Sequence, residues 1–191
     1  MGRMRAIGHP LWAALAVYRV GPDDAALDFE TRLARENGWS AAHAARVMGE
    51  YRRFLFLAMT AGHMAVPSDG IDQAWHLHLT YSRDYWDRLC GEVLRQPLHH
   101  GPTKGGPDEG RRHFDLYAET LASYERAFGE NPPADIWPSG WRRFHVDPHA
   151  RRVARSDAWI VPKRPVRVAA AAIAVIAFIG VALWWMSGGA R

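Results

Sequence analysis

From Val168 to Met186 every residue is apolar or glycine, and a block of arginines and lysines stands immediately before the run. No other feature constrains this chain as strongly. At about 1.5 Å of rise per residue the stretch is long enough, as a helix, to cross a hydrocarbon core roughly 30 Å thick. Trp184 and Trp185 stand where an interfacial aromatic belt would lie, a feature that a merely buried core helix does not need. Arg151, Arg152, Arg155, Lys163, Arg164 and Arg167 precede the run, and Arg191 alone follows it. The positive-inside asymmetry therefore predicts a single-pass span over 168–186 in the cell membrane, with the N-terminal part in the cytoplasm and a short tail over 187–191. At the other end Arg3 and Arg5 precede a short apolar stretch, but Arg19 stops it and no small-residue cleavage pattern follows. A secretory signal is not expected there.

The residues before the basic linker, about 150 of the 191, suffice for one domain with its own core. The chain carries a net charge of +4, but residues 151–191 hold seven Lys/Arg against Asp157 alone, which leaves the N-terminal domain slightly acidic. The basic character belongs to the linker over 151–167, where clustered cations favour anionic lipid headgroups. No basic stripe interleaved with aromatics runs through the domain, so nucleic acid is not an expected partner. Cys90 is the only cysteine and has no intramolecular partner for a disulfide.

Helical periodicity runs through this domain, 1–150, and predicts an all-α, bundle-like fold. Pro22 with Asp23 and Asp24 makes a favourable first turn for a helix that closes at Asn37-Gly38. Ser40 can cap the next, over 41–61, where Ala44, Val47, Met48, Tyr51, Leu55, Ala58 and Met59 recur at three and four. The break Pro67-Ser68-Asp69-Gly70 opens a third helix over 71–81, and Ser82 restarts the chain as a fourth through Leu94. A Pro-, Gly- and His-rich loop covers 95–108, long enough to suggest a functional role. Helix returns over 111–128 with Phe114, Tyr117, Leu121 and Tyr124 in register, and Trp137, Trp141 and Phe144 are expected to pack an irregular arm onto the bundle.

The chemistry-bearing segment is Pro67-Ser68-Asp69-Gly70-Ile71-Asp72-Gln73-Ala74-Trp75-His76-Leu77-His78, followed by Tyr81, Tyr85, Cys90 and the pair His99-His100. Asp72 and His76 are four apart on one helical face, so the carboxylate can accept the imidazole N–H or share a metal ion with it. His78 lies about 200° further round an ideal helix, which argues against His76 and His78 meeting at one ion. His99 or His100, returned by the loop, can supply the further nitrogen that zinc or another divalent cation needs. Cys90 is a conceivable sulfur ligand, although a lone thiol on an amphipathic helix is more often core. Trp75 and Trp86 are read as core aromatics, and Asp84 and Asp87 as surface charges beside Arg83 and Arg88.

The order Pro-Ser, Asp-x-x-Trp-His-x-His, an aromatic spacer, a Cys and a later Leu-His-His resembles the glycine-rich domain-containing protein-like family of plants and bacteria. The likeness covers roughly residues 20–145. Some plant members carry RNA-binding and glycine-rich segments that this chain lacks, so the resemblance implies a family without implying a reaction.

Three functional classes follow. The first is a membrane-anchored interaction or ligand-binding module, with a protein as one conceivable partner; in its plainest form the histidines only tie the third helix to the 95–108 loop. The second is a metal-dependent enzyme with Asp72, His76 and one of His78, His99 or His100 around an ion such as zinc, and an open position for water. The third, RNA binding, enters only through the resemblance. No G-x-S-x-G, phosphate-binding loop or paired-cysteine zinc signature is present.

Overall fold

The computed structural model describes residues 5–22, 24–101, 105–147, 178–179 and 184. The chain divides into two units, Met1–Ala150 and Arg151–Arg191. Every regular element among the described residues is helical, as the periodicity predicts. No helix among them is long and apolar enough to cross a membrane. Apart from Phe178, Ile179 and Trp184, which are helical and exposed, the expected span 168–186 lies outside the described residues, as do the linker 151–167 and the tail 187–191.

Helix α1, Pro10–Val17, carries Pro at its start, and His9 Nδ1 accepts a hydrogen bond from the Leu11 N–H at 3.2 Å. Helix α2, Phe29–Asn37, begins later than the Pro22 signal suggests. Its cap is Asp28, whose carboxylate accepts from the Thr31 N–H at 2.7 Å, and Gly38 closes it at φ +67° in the left-handed region that an L side chain rarely adopts.

Helix α3, Ala41–Thr60, is the centre of the domain and packs against α1, α2 and two later helices, α4 and α5. Ser40 Oγ caps it by accepting from the His43 N–H. Its first half buries Ala44, Val47, Met48 and Tyr51 on one stripe. Further on, Phe54, Leu55, Phe56 and Leu57 are consecutive and all buried, so here the helix is enclosed on every side.

Helix α4, Asp69–Thr80, follows the Pro67-Ser68 break, although the buried Ser68 hydroxyl makes no capping bond. At Tyr81 the backbone leaves helical geometry (φ −87°, ψ 56°), and the chain continues as a π-helix over Asp84–Leu94. The buried residues of that element, Asp84, Tyr85, Leu89, Cys90 and Leu94, include the five-residue steps 84 to 89, 85 to 90 and 89 to 94 that its wider turn requires. Arg95 ends it in the left-handed region at φ 55°. Trp86 is 41 % exposed, so it is a rim residue and not part of the core.

Helix α5, Pro107–Phe128, buries Tyr117 and Tyr124, and Gly129 caps it at φ +75°. The arm that follows is anchored by Trp137, whose indole N–H donates to the buried Glu50 carboxylate of α3 at 2.8 Å. Part of this arm is helical as α6, Gly140–His145. Phe144 packs against Tyr117 as expected, whereas Trp141 is exposed and stacks on His145 instead of on the bundle.

Candidate functional site

Helix α4 splits the Asp-x-x-Trp-His-x-His motif between two environments. Ile71, Ala74, Trp75 and His78, at i, i+3, i+4 and i+7, all face the core. Asp72 and His76, at i and i+4, face outward.

The inward histidine is fully buried and bound at both ring nitrogens. His78 Nε2 lies 2.9 Å from Asp84 Oδ1, and Nδ1 lies 3.0 Å from the Tyr51 hydroxyl. The Asp84 carboxylate can only accept, so Nε2 carries the proton and Tyr51 donates its O–H to Nδ1. Asp84 further accepts from the Tyr18 hydroxyl, from the Gly21 N–H at 3.0 Å and from Arg88. This cluster joins the segment after α1, helices α3 and α4, and the π-helix at one carboxylate. Burial, outweighing the attraction of Asp84, holds the His78 pKa below its ordinary value. Burial alone would raise Asp84, but hydrogen bonds from His78, Tyr18 and the Gly21 N–H, with the Arg88 charge, bring it down to about 2.

His78 is therefore committed to the interior and is not a ligand beside His76. Asp84, read from sequence as a surface charge, is buried at the hub of this cluster. Six residues is not a helical neighbour spacing; the bend at Tyr81 brings Asp84 back against His78. Tyr81 itself is half-buried, edge-on to Phe29.

Outward, the loop returns His100 to Asp72 and His76. His100 Nε2 lies 2.9 Å from Asp72 Oδ1 and 3.1 Å from His76 Nε2. Asp72 and His76 are 3.8 Å apart at their closest, an ion-pair distance and not the direct hydrogen bond expected from their spacing. One ligand atom from each of the three residues falls within 4.8 Å of the other two. The inward face of the motif positions this group. The Trp75 indole N–H donates to the Tyr85 hydroxyl at 2.9 Å, and Tyr85 donates to the Leu98 carbonyl. That pins the loop two residues before His100, whose ring lies edge-on to Trp75 with centroids 4.4 Å apart. Burial, as the largest influence, pushes the Tyr85 hydroxyl up to about 12, so it stays protonated and keeps its donor.

No protein-family model, curated protein or solved structure matches the chain.

His99 is exposed and tilted against Trp86 with centroids 5.5 Å apart, so it stands on the rim and is not one of the three. Cys90 is buried in the core, and burial pushes its thiol pKa up, away from the thiolate a metal requires. The triad lies on the wall of a cavity of about 420 Å3, within the roughly 300–1,000 Å3 range of small-molecule sites. Phe54, Trp75 and Leu98 give the cavity an apolar side, while His113 and Arg143 add polar groups that the sequence pattern did not single out. Both come from elements distant in sequence, α5 and α6, and no local spacing connects them to the motif.

The ligand atoms suit a divalent ion. Metal–nitrogen and metal–oxygen bonds of roughly 2.0–2.2 Å in a tetrahedral site place neighbouring ligand atoms about 3.3–3.6 Å apart. The separations are 2.9 Å from His100 Nε2 to Asp72 Oδ1, 3.1 Å between the two Nε2 atoms and 3.8 Å from His76 Nε2 to the other Asp72 oxygen, Oδ2, and they bracket that value. A single His100 Nε2 also faces two partners at once, and one N–H cannot point linearly at both.

Proposed function

We propose that the chain is a membrane-anchored ligand-binding module whose site is the histidine-lined cavity, with Asp72, His76 and His100 holding a divalent metal such as zinc. The convergence of one carboxylate oxygen and two imidazole nitrogens on the cavity wall carries this reading. Two histidines and one carboxylate suit zinc and other borderline divalent ions, and three protein ligands leave a coordination position for a ligand or water. Anchoring is supported by the apolar run 168–186 and the cations before it, and their asymmetry favours a single-pass protein with residues 1–150 in the cytoplasm. The Asp-x-x-Trp-His-x-His order supports membership of the glycine-rich domain-containing protein-like family.

A second reading, a metal-dependent enzyme, is favoured by the open position beside a cavity. A bound zinc there would lower the pKa of a coordinated water toward neutrality. The protein's own part would be to orient that water and a ligand with the groups lining the wall.

The test is elemental analysis of the full chain purified in detergent, with His100→Ala alongside. Near-stoichiometric zinc after supplementation, lost in the variant, is the expected result. Less than about a tenth of an equivalent in the wild type, unchanged on supplementation, would sink the metal site. A chain recovered in the soluble fraction after lysis would contradict the anchor.

A further inference from the structure

Arg143 has no carboxylate partner among the described residues, in a domain whose arginines are often paired. Arg46, Arg52, Arg53, Arg88 and Arg142 all lie within 4 Å of an acid. Arg143 instead donates from Nε to the Pro67 carbonyl at 3.1 Å, and its guanidinium lies 5.6 Å from the Phe144 ring centroid. The stem is thereby fixed, while the terminal NH1 and NH2 groups have no hydrogen-bond acceptor among the described residues. This arginine lines the same cavity as Asp72, His76 and His100.

The charge of the cavity follows from its lining. Asp72 is the one carboxylate among the lining residues, so a divalent ion held there would leave the ion site with net positive charge. Arg143 adds a second centre of positive charge. Such a wall favours an anion with a planar oxyanion group, which a guanidinium fork can receive through two parallel N–H···O bonds. Phe54, Trp75 and Leu98 offer an apolar surface beside it, which a bare inorganic anion would leave uncovered.

Resting on the metal reading above, we infer that the cavity takes a small organic acid, its carboxylate shared between Arg143 and the ion, its apolar body against Phe54, Trp75 and Leu98. Arg143 is the specificity-determining residue for the charged end.

The experiment uses the full chain in detergent with cobalt(II) in place of zinc, because its visible absorption responds to changes in coordination. Benzoate is the probe, and acetate is the comparison that lacks an apolar body. Saturable perturbation of the cobalt spectrum by benzoate is expected, with acetate binding more weakly. Arg143→Ala should weaken benzoate binding by about tenfold or more with cobalt stoichiometry unchanged. Arg143→Lys keeps the charge without the fork and should fall between the two, which guards against an alanine variant that merely misfolds. Cobalt bound by the wild type, with benzoate titrating Arg143→Ala and wild type alike or not perturbing the spectrum at all, overturns the inference and leaves the metal site standing. Failure of the wild type to bind cobalt overturns the metal site, and the inference with it.

Discussion

Two histidines two residues apart on one helix meet opposite fates. His78 is sealed inside, and each ring nitrogen has one partner of the matching kind: a donor hydroxyl at Nδ1 and an acceptor carboxylate at Nε2. His76 stands outside, in a group where the His100 nitrogen faces two partners at once. The contrast separates a polar cluster that is satisfied within the fold from one whose geometry leaves room for a ligand. A buried cluster must satisfy every donor and acceptor, because an orphan there costs about 1–3 kcal/mol. A cluster at a cavity wall has water nearby and can hold groups whose best partner is an ion.

The sharpest break of this contrast is Asp84→Ala. It strands the Tyr18 and His78 donors in the interior, frees the Gly21 N–H and Arg88, and should cost about 3 kcal/mol or more in urea unfolding. His76→Ala, on the outward face, should stay within about 0.5 kcal/mol of wild type in the absence of metal. Similar losses for both would erase the distinction.

Next in size is the response to acid. The folded pKa of His78 is depressed, so the unfolded chain takes up its proton first, as pH falls below 6.5. The stabilisation is fully present above that pH and is lost as pH drops toward the folded value. Asp84, brought from 3.8 to about 2, adds a second loss across that lower window. Urea unfolding across pH should show the first slope disappear in His78→Phe and persist in His76→Ala. A slope that survives in His78→Phe would place its origin elsewhere.

The smallest effect links the two regions. Tyr85→Phe removes the hydroxyl between Trp75 and the Leu98 carbonyl. A cost of about 1 kcal/mol is expected in stability, together with a loss of about tenfold in zinc affinity as the loop bearing His100 loosens. An unchanged zinc titration would show that the loop positions His100 without this relay.

Legibility in the sequence followed the reach of the physics involved. Helices α3 and α4 were readable because their apolar residues repeat at three and four and Ser40 or the Pro67-Ser68 break marks the start. Helix α1 gave no such signal, because Pro10–Val17 is apolar around its whole circumference. The Pro22 signal for α2 was outcompeted by Asp28, which has Thr31 in position to donate to its side chain. At the site, Asp72 and His76 were legible as an i, i+4 pair, and so was the divergence of His78. The choice of His100 over His99 was not, since it depends on a clamp at Leu98 formed through tertiary contacts. Asp84 and Arg143 were hidden for the same reason: one is brought in by a bend at Tyr81, the other by an arm far along the chain.

The proposed difference between the two clusters is that the outward triad binds a metal and the inward cluster does not. Its most direct test is the thermal midpoint of the metal-free full chain with and without added zinc, for wild type, His76→Ala and His78→Phe. Zinc at about a hundred times its dissociation constant should stabilise the wild type by about 2.7 kcal/mol. That rise should vanish in His76→Ala and persist in His78→Phe from its lower starting point. An equal rise in His76→Ala, or no rise in the wild type, would contradict it.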